Sequence, residues 1–411
     1  MIDKFIAIMI LVCPTLFWVG KHIRTAQEIF YQILVISLVS AYAFINHKDR
    51  ITKLFAVFVT YSSLLYVLGG ADKGATILFN IFLGFLLYLI TLKSKDSSLI
   101  FKAIVWVCII NIIYMAIQRI GFDFIYSLRG PDNTILQDNT DYIGFLALKA
   151  SMGMWMALGS ICMLIINPFL SILFALPLYL SKCTGAVIGS ILGVGLWAYY
   201  IKRRMFKYVL ISLLLISISY VVFVDTPMGM MGTRPPMWKM VLNDTIYGRT
   251  VINPYYHSPF LRNPITGFGL DSFRRGKVVY LMETTTQKTV RAYKTPNGVM
   301  NKKGETYYTK DGIVYSPKGI VCNIWDNAHN EFIMLFYEFG FIGVFIICLI
   351  LYNVFHRFYH SVKTDNLIIS MALLLAVLGF SISQFPLHLA RLAFLGPIIL
   401  AVIVKNTNIA G

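Results

Sequence analysis

The sequence predicts an all-α polytopic membrane protein of about twelve transmembrane helices, interrupted by one long periplasmic loop of mixed α/β character. Three observations carry that prediction. The 411 residues are 57% hydrophobic and only 13% charged, more apolar surface than a water-soluble globule can bury. Apolar runs of roughly 17–25 residues recur along almost the whole chain, the length a helix needs to cross the hydrocarbon of a bilayer. One stretch, 225–328, breaks that pattern and is too long to be a mere connector. An alternating pattern of roughly ten residues, the mark of a membrane barrel, is missing.

Taken in order, helices are expected near 4–20, 28–46, 52–70, 75–92, 99–121, 142–166, 168–181, 184–201, 206–224, 330–355, 366–384 and 386–404. The first imitates a signal peptide. However, Lys21, His22 and Arg24 follow it directly with no small-residue cleavage site, so it reads as a retained helix. The run at 168–181 is short and opens on Asn167-Pro168, as a tilted or partly re-entrant segment would. The chain therefore divides into helices one to nine (1–224), a loop domain (225–328) and helices ten to twelve (329–411).

Basic residues in short loops set the orientation. Lys48, Arg50 and Lys53 form one cluster, and Lys93 and Lys95 another. Lys202, Arg203, Arg204 and Lys207 form the strongest, and Arg357 with Lys363 the last. With twelve helices all of these fall on the side of the N-terminus, which places both termini in the cytoplasm. The opposite side then holds 122–141, the turn at 181–184 and the long loop. Of the six cysteines, Cys13, Cys108, Cys162 and Cys348 lie inside helices and read as packing residues. Cys183 and Cys322 both map to the outer side, and sequence leaves their pairing open. No cysteine or histidine spacing suggests a metal site.

In the long loop, basic residues outnumber acidic ones about two to one, which favours an anionic partner, lipid headgroup or phosphate. A solvated basic surface accounts for most of its lysines. Residues 234–243 show helix-like apolar spacing after Pro235-Pro236 and suit the membrane interface. Next comes a glycine-punctuated turn, Asn263-Pro-Ile-Thr-Gly-Phe-Gly-Leu-Asp-Ser-Phe-Arg-Arg275. From about 288 to 322, the dipeptides Asn297-Gly298, Lys303-Gly304, Asp311-Gly312 and Lys318-Gly319 separate short Tyr/Val/Ile stretches, which reads as a small β-meander. Its tyrosines are ordinary strand filling in the plainer reading and a sugar-stacking surface in the other.

The most informative stretch lies where the loop re-enters the membrane: Asp326-Asn-Ala-His-Asn-Glu-Phe-Ile-Met-Leu-Phe-Tyr-Glu-Phe-Gly-Phe-Ile-Gly343. It resembles the His-Asn … Glu-x-Gly-x-x-Gly signature of the O-antigen ligase and polymerase family. Those are membrane glycosyltransferases that move glycan from an undecaprenyl pyrophosphate carrier in lipopolysaccharide biosynthesis. Three further stretches resemble the family in the same order. They are Arg129-Gly-Pro-Asp-Asn … Asp138-Asn139, Ser181-Lys-Cys-Thr-Gly-Ala186, and Arg234 … Trp238 … Asn263-Pro … Gly267-Phe-Gly-Leu-Asp-Ser-Phe273. The resemblance covers roughly 125–350. At the Ser181 turn the family's arginine falls on Thr184, with Lys182 two residues earlier; lysine supplies charge but not the bidentate fork of a guanidinium.

The resemblance implies a donor glycan on undecaprenyl pyrophosphate and an acceptor that is either lipid A-core or another lipid-linked glycan. It also implies inversion at the anomeric carbon and a bacterial inner membrane location. The chemistry can be argued from the residues as well. A lipid pyrophosphate is already a good leaving group, so the protein has to stabilise its developing charge and deprotonate an acceptor hydroxyl. Arg129 and Arg234 are the candidates for the first task, with Lys182, Arg274 and Arg275 behind them. Without the resemblance, these arginines read as headgroup anchors. His329 is the candidate base, expected in the first turn of a helix capped by Asp326 or Asn327. A lone histidine at a helix start is more often a satisfied polar residue, and the motif around it reverses that reading. Asn330, Glu338 and the pair His388 and Arg391 are supporting candidates, the last two lining an acceptor cavity or simply snorkelling. No cofactor is expected, neither metal nor nucleotide, and nothing in the sequence suggests nucleic acid as a partner. The rival class is a twelve-helix transporter or flippase, which would show two related halves and ionisable residues near mid-bilayer. A non-enzymatic glycan-binding protein is the third reading.

Overall fold

The computed structural model of the chain describes residues 2–16, 26–68, 74–120, 146, 149–181, 183–201, 263–270, 272, the strands and two turns between 278 and 325, 330–382 and 390–407. Most of them are helical. In chain order the helices are α1 (Ile2–Leu16), α2 (Ala26–Asn46), α3 (Arg50–Leu68), α4 (Ala75–Leu92), α5 (Ser98–Arg119), α6 (Lys149–Ile166), α7 (Ala175–Leu180), α8 (Thr184–Tyr200), α9 (Glu331–His360), α10 (Asp365–Ser381), α11 (Ala390–Ala393) and α12 (Leu395–Thr407). Three are long and apolar enough to cross a membrane: Arg50–Leu68, Ser98–Gln118 within α5, and Glu331–His360. Shorter apolar stretches occupy α2, α4, α6, α8, α10 and α12. The helix expected at 206–224 lies outside the described residues.

Two expected helices depart from a plain span. The run at 168–181 is a 3₁₀ turn (Leu170–Phe174) followed by the six-residue α7. Asn167 starts it by accepting the Phe169 N–H on its Oδ1 at 3.0 Å. The last expected helix, 386–404, is split between α11 and α12 at Phe394. Pro397 explains the break, because it has no N–H to offer the Ala393 carbonyl and its ring crowds that carbonyl.

Helix packing relies on close backbone approach where both sides are apolar. α8 and α10 meet through paired glycines. A Cβ at Gly189 would lie 2.3 Å from the Ala376 carbonyl oxygen, and one at Gly379 would lie 2.8 Å from the Gly189 Cα. α9 packs on α3, α10 and α12, and α5 packs on α1 and α6. At one end of α3, Asp49 is the N-cap. Its Oδ2 accepts the Thr52 N–H at 2.7 Å and the Thr52 hydroxyl at 3.0 Å. Its Oδ1 lies 2.5 Å from Arg357 Nη2 near the C-terminus of α9. Cys108 and Cys162 are buried, as packing residues should be, whereas Cys348 is exposed on α9.

Between α8 and α9 stands a closed antiparallel barrel of six strands. They are β1 (Val278–Glu283), β2 (Thr289–Thr295), β3 (Gly298–Asn301), β4 (Thr306–Lys310), β5 (Ile313–Tyr315) and β6 (Val321–Trp325). The expected meander at 288–322 is thus longer than its turn dipeptides indicated, and it closes by pairing β1 with β6, Leu281 opposite Ile324. Closure removes both edges that an open meander would expose.

Candidate functional site

The two glycine-rich motifs singled out in the sequence, about seventy residues apart, are one structural unit. α9 begins at its N-cap Asn330, whose extended backbone (φ −154°, ψ 113°) lets Oδ1 accept the Ile333 N–H at 3.2 Å. This corrects the expected cap at Asp326 or Asn327. Asn330 carries both the N-cap backbone and the capping oxygen, so the helix starts at Glu331 and His329 precedes the cap instead of occupying the first turn.

α9 runs regularly to Phe339 and kinks at Gly340, where φ is 61° and ψ −164°, a conformation essentially confined to glycine. A kink of this kind orphans the carbonyls of Tyr337 and Glu338 and the N–H groups of Phe341 and Ile342, which would otherwise pair with each other. The segment 263–270 replaces those partners. The N–H of Phe268 donates to the Tyr337 carbonyl at 2.9 Å, and that of Gly269 to the Glu338 carbonyl at 3.0 Å. The Phe341 and Ile342 N–H groups donate to the carbonyls of Pro264 at 2.8 Å and Ile265 at 3.2 Å. Gly267 and Gly269, both at positive φ, turn the segment so that it can do this.

The fit leaves no space for side chains at the crossing. A Cβ on Gly267 would lie 2.5 Å from the Glu338 carbonyl oxygen, and one on Gly340 would lie 2.4 Å from both the Gly267 nitrogen and the Ile265 oxygen. Phe268 stacks on Tyr337 with ring centroids 4.7 Å apart. A third element completes the joint: the Tyr61 hydroxyl of α3 lies 2.9 Å from the Phe339 carbonyl and 3.2 Å from that of Thr266. Phe58, one turn earlier on α3, packs against Phe339. Glu338 is fully buried within this joint, and Glu331, in the first turn of α9, is nearly so.

Asn330 and Glu338 are thus placed on the first three turns of α9, Asn330 as cap and Glu338 as a backbone acceptor at the kink. Arg129, Lys182, Arg234, Arg274, Arg275, His329 and His388 lie outside the described residues. Arg391 belongs to α11, and its side chain is not described. Around Lys182, the Ser181 hydroxyl donates to the Leu178 carbonyl at 2.6 Å and accepts the Cys183 N–H at 3.2 Å, and Cys183 is the N-cap residue of α8. Tyr61 is a functional position with little to mark it in the sequence. Its one signal was a phenol in an apolar helix, a group that needs a hydrogen-bond partner when buried.

Mechanically, the joint clamps α9 between its cap and its kink, with α3 on one side and the 263–270 turn on the other. No protein-family model matches the chain, and neither does any curated protein.

Proposed function

We propose that the protein is a membrane-embedded glycosyltransferase that moves glycan from undecaprenyl pyrophosphate to an acceptor hydroxyl on the periplasmic face. The O-antigen ligase activity is the favoured form, with lipid A-core as acceptor. Polymerisation of lipid-linked repeat units is the alternative within the same chemistry. The observation that carries the reading is the union of the Asn263–Gly269 turn with the Glu338-Phe-Gly340 kink. Two stretches that the resemblance picks out in the sequence interlock through four backbone hydrogen bonds, which is what supports the reading.

In this reading the chain has twelve spans in a bacterial inner membrane, both termini are cytoplasmic, and the barrel is periplasmic. Donor enters laterally between helices, and Arg129 and Arg234 hold its pyrophosphate. His329 takes the proton of the acceptor hydroxyl as the oxygen attacks the anomeric carbon. The bond from that carbon to the phosphate oxygen breaks, its electron pair leaves with the pyrophosphate, and the configuration inverts. The guanidinium charges do the work for which a nucleotide-sugar enzyme would need a metal, so the activity is metal-independent. A transporter would need two related halves and an ionisable pathway through mid-bilayer; in the topology read from the sequence most of the candidate residues fall near the outer surface instead.

The test is transfer from purified undecaprenyl-pyrophosphate-linked glycan in detergent, with and without lipid A-core and in the presence of chelator. Chelator-resistant product that requires lipid A-core identifies a ligase. Longer lipid-linked chains formed without it identify a polymerase. No product with either acceptor rules the transferase out and favours transport.

A further inference from the structure

The end of α9 away from the Gly340 kink carries a pair of side chains that the transfer chemistry does not use. His356 and His360 stand on the last two turns of α9, and both are exposed. Residues four apart share one helix face. Their rings lie with centroids 4.5 Å apart and planes inclined at 47°, so they are neighbours without being stacked. Tyr352, one turn earlier, stands 5.9 Å from the His356 ring, and Tyr359 meets the His360 ring edge-on at 5.1 Å. α9 is long and apolar enough to cross a bilayer. From Gly340 to His360 it rises about 30 Å, the thickness of the hydrocarbon. The pair therefore stands where a crossing helix meets water and headgroups, beside the Asp49–Arg357 ion pair.

We propose that His356 and His360 form a two-histidine chelate for a divalent late transition-metal ion of the copper and nickel class, a site independent of the transferase reading above. Imidazole is a ligand that suits these ions, and each ring can turn one nitrogen to a shared ion. With metal–nitrogen bonds of about 2.0–2.1 Å, two ring centroids lie about 4.4 Å apart when the bonds meet at about 90°, and about 5.1 Å apart at the tetrahedral angle. The observed 4.5 Å fits the right-angled, tetragonal geometry that Cu²⁺ and Ni²⁺ take. It falls short of the tetrahedral arrangement that zinc prefers.

Among the described residues, no third histidine, cysteine or carboxylate joins the pair. Oxygens of water or headgroups therefore fill the other positions, and the site is an open chelate instead of a closed structural cage. The cations nearby are held by partners of their own. Arg357 is paired with Asp49 at 2.5 Å. The Lys363 ammonium donates to the carbonyls of Phe358, Tyr359 at 2.9 Å and Ser361 at 2.7 Å. The C-terminal end of a helix carries partial negative charge, which favours a bound cation. This corrects the expectation that no histidine spacing suggests a metal site. Motifs of three or four ligands leave out a pair, and His356-Arg-Phe-Tyr-His360 shows its fit to an ion only once the rings are placed.

The full chain, purified without a histidine tag and placed in nanodiscs, is titrated with Cu²⁺ and with Ni²⁺ by calorimetry. The Cu²⁺ complex is then read by electron paramagnetic resonance. Wild type takes up one ion per chain and gives a tetragonal spectrum with two nitrogen ligands. His356→Gln and His360→Gln each weaken binding by about tenfold or more, because one ring is left where two acted together. Both variants keep the metal-free Tm of wild type, which separates loss of a ligand from loss of the fold. His47→Gln, in the connection between α2 and α3, leaves binding unchanged. Single variants that bind as tightly as wild type overturn the chelate. So does a spectrum with one nitrogen ligand or none, or a loss of affinity in His47→Gln in place of the pair.

Discussion

A methyl group at Gly340 has nowhere to go. It would lie 2.4 Å from the Gly267 nitrogen, and the backbone there holds φ at 61°, which L side chains avoid. Gly340→Ala is expected to cost about 1–3 kcal/mol from backbone strain alone, with the collision adding to it. In detergent, Tm should fall by about 5 °C or more, and transfer should be lost even in the fraction that stays folded. Tyr61→Phe is the milder probe of the same joint. It removes the hydroxyl shared between the Phe339 and Thr266 carbonyls and keeps the ring. A loss of about 1 kcal/mol, read as a small fall in Tm, is expected; an unchanged Tm would mean that the hydroxyl contributes nothing. Neither role could be read from the sequence. Tyr61 meets partners 205 and 278 residues away, and Gly340 sits in an apolar run where a lone glycine is tolerated without a kink.

At the scale of elements, α3 and α9 are tied at both ends: by the Tyr61 joint at one and by Asp49 and Arg357 at the other. Asp49 has two tasks there, capping α3 through Oδ2 and pairing with Arg357 through Oδ1. Asp49→Ala removes both and is expected to cost about 1–2 kcal/mol, most of it from the cap. Asp49→Asn keeps a capping oxygen and loses only the charge, so it should cost less. Thermal unfolding of the two variants side by side checks the order, and equal losses would assign the stabilisation to the ion pair. The helices themselves were legible because lipid demands long apolar runs, and the observed α2, α3, α4, α5 and α10 begin and end within three residues of where hydropathy puts them. β1 was not legible. The loop between it and β2, Thr284-Thr-Thr-Gln-Lys288, contains no glycine or asparagine to signal a turn, unlike the other hairpins. Closure was equally hidden, because the pairing of β1 with β6 is a long-range register that no local signal encodes.

For the whole molecule, the net charge of +17 is distributed so that short-loop clusters and the long loop lie on opposite sides of the proposed topology. An alkaline phosphatase fused after residue 300 should be active, and one fused after 203 or at the C-terminus inactive. Activity at 203 with silence at 300 would invert the molecule and detach the candidate base from the periplasm. The site was legible as motifs and illegible as an arrangement: the sequence supplied Asn330, Glu338 and the Gly267 turn, but not the backbone exchange that joins them. It also misjudged the cap, because Asp326, Asn327 and Asn330 are all good capping residues and only the fold selects among them.

The most direct measurement compares transfer of glycan from undecaprenyl pyrophosphate by wild type and by His329→Ala, at matched folding as judged by Tm. Loss of a general base lowers the rate by about 10²–10⁴-fold, and a fall in that range with donor binding retained is the predicted result. Equal rates in the two proteins would contradict the account, because the clamped start of α9 would then be positioning something other than the base.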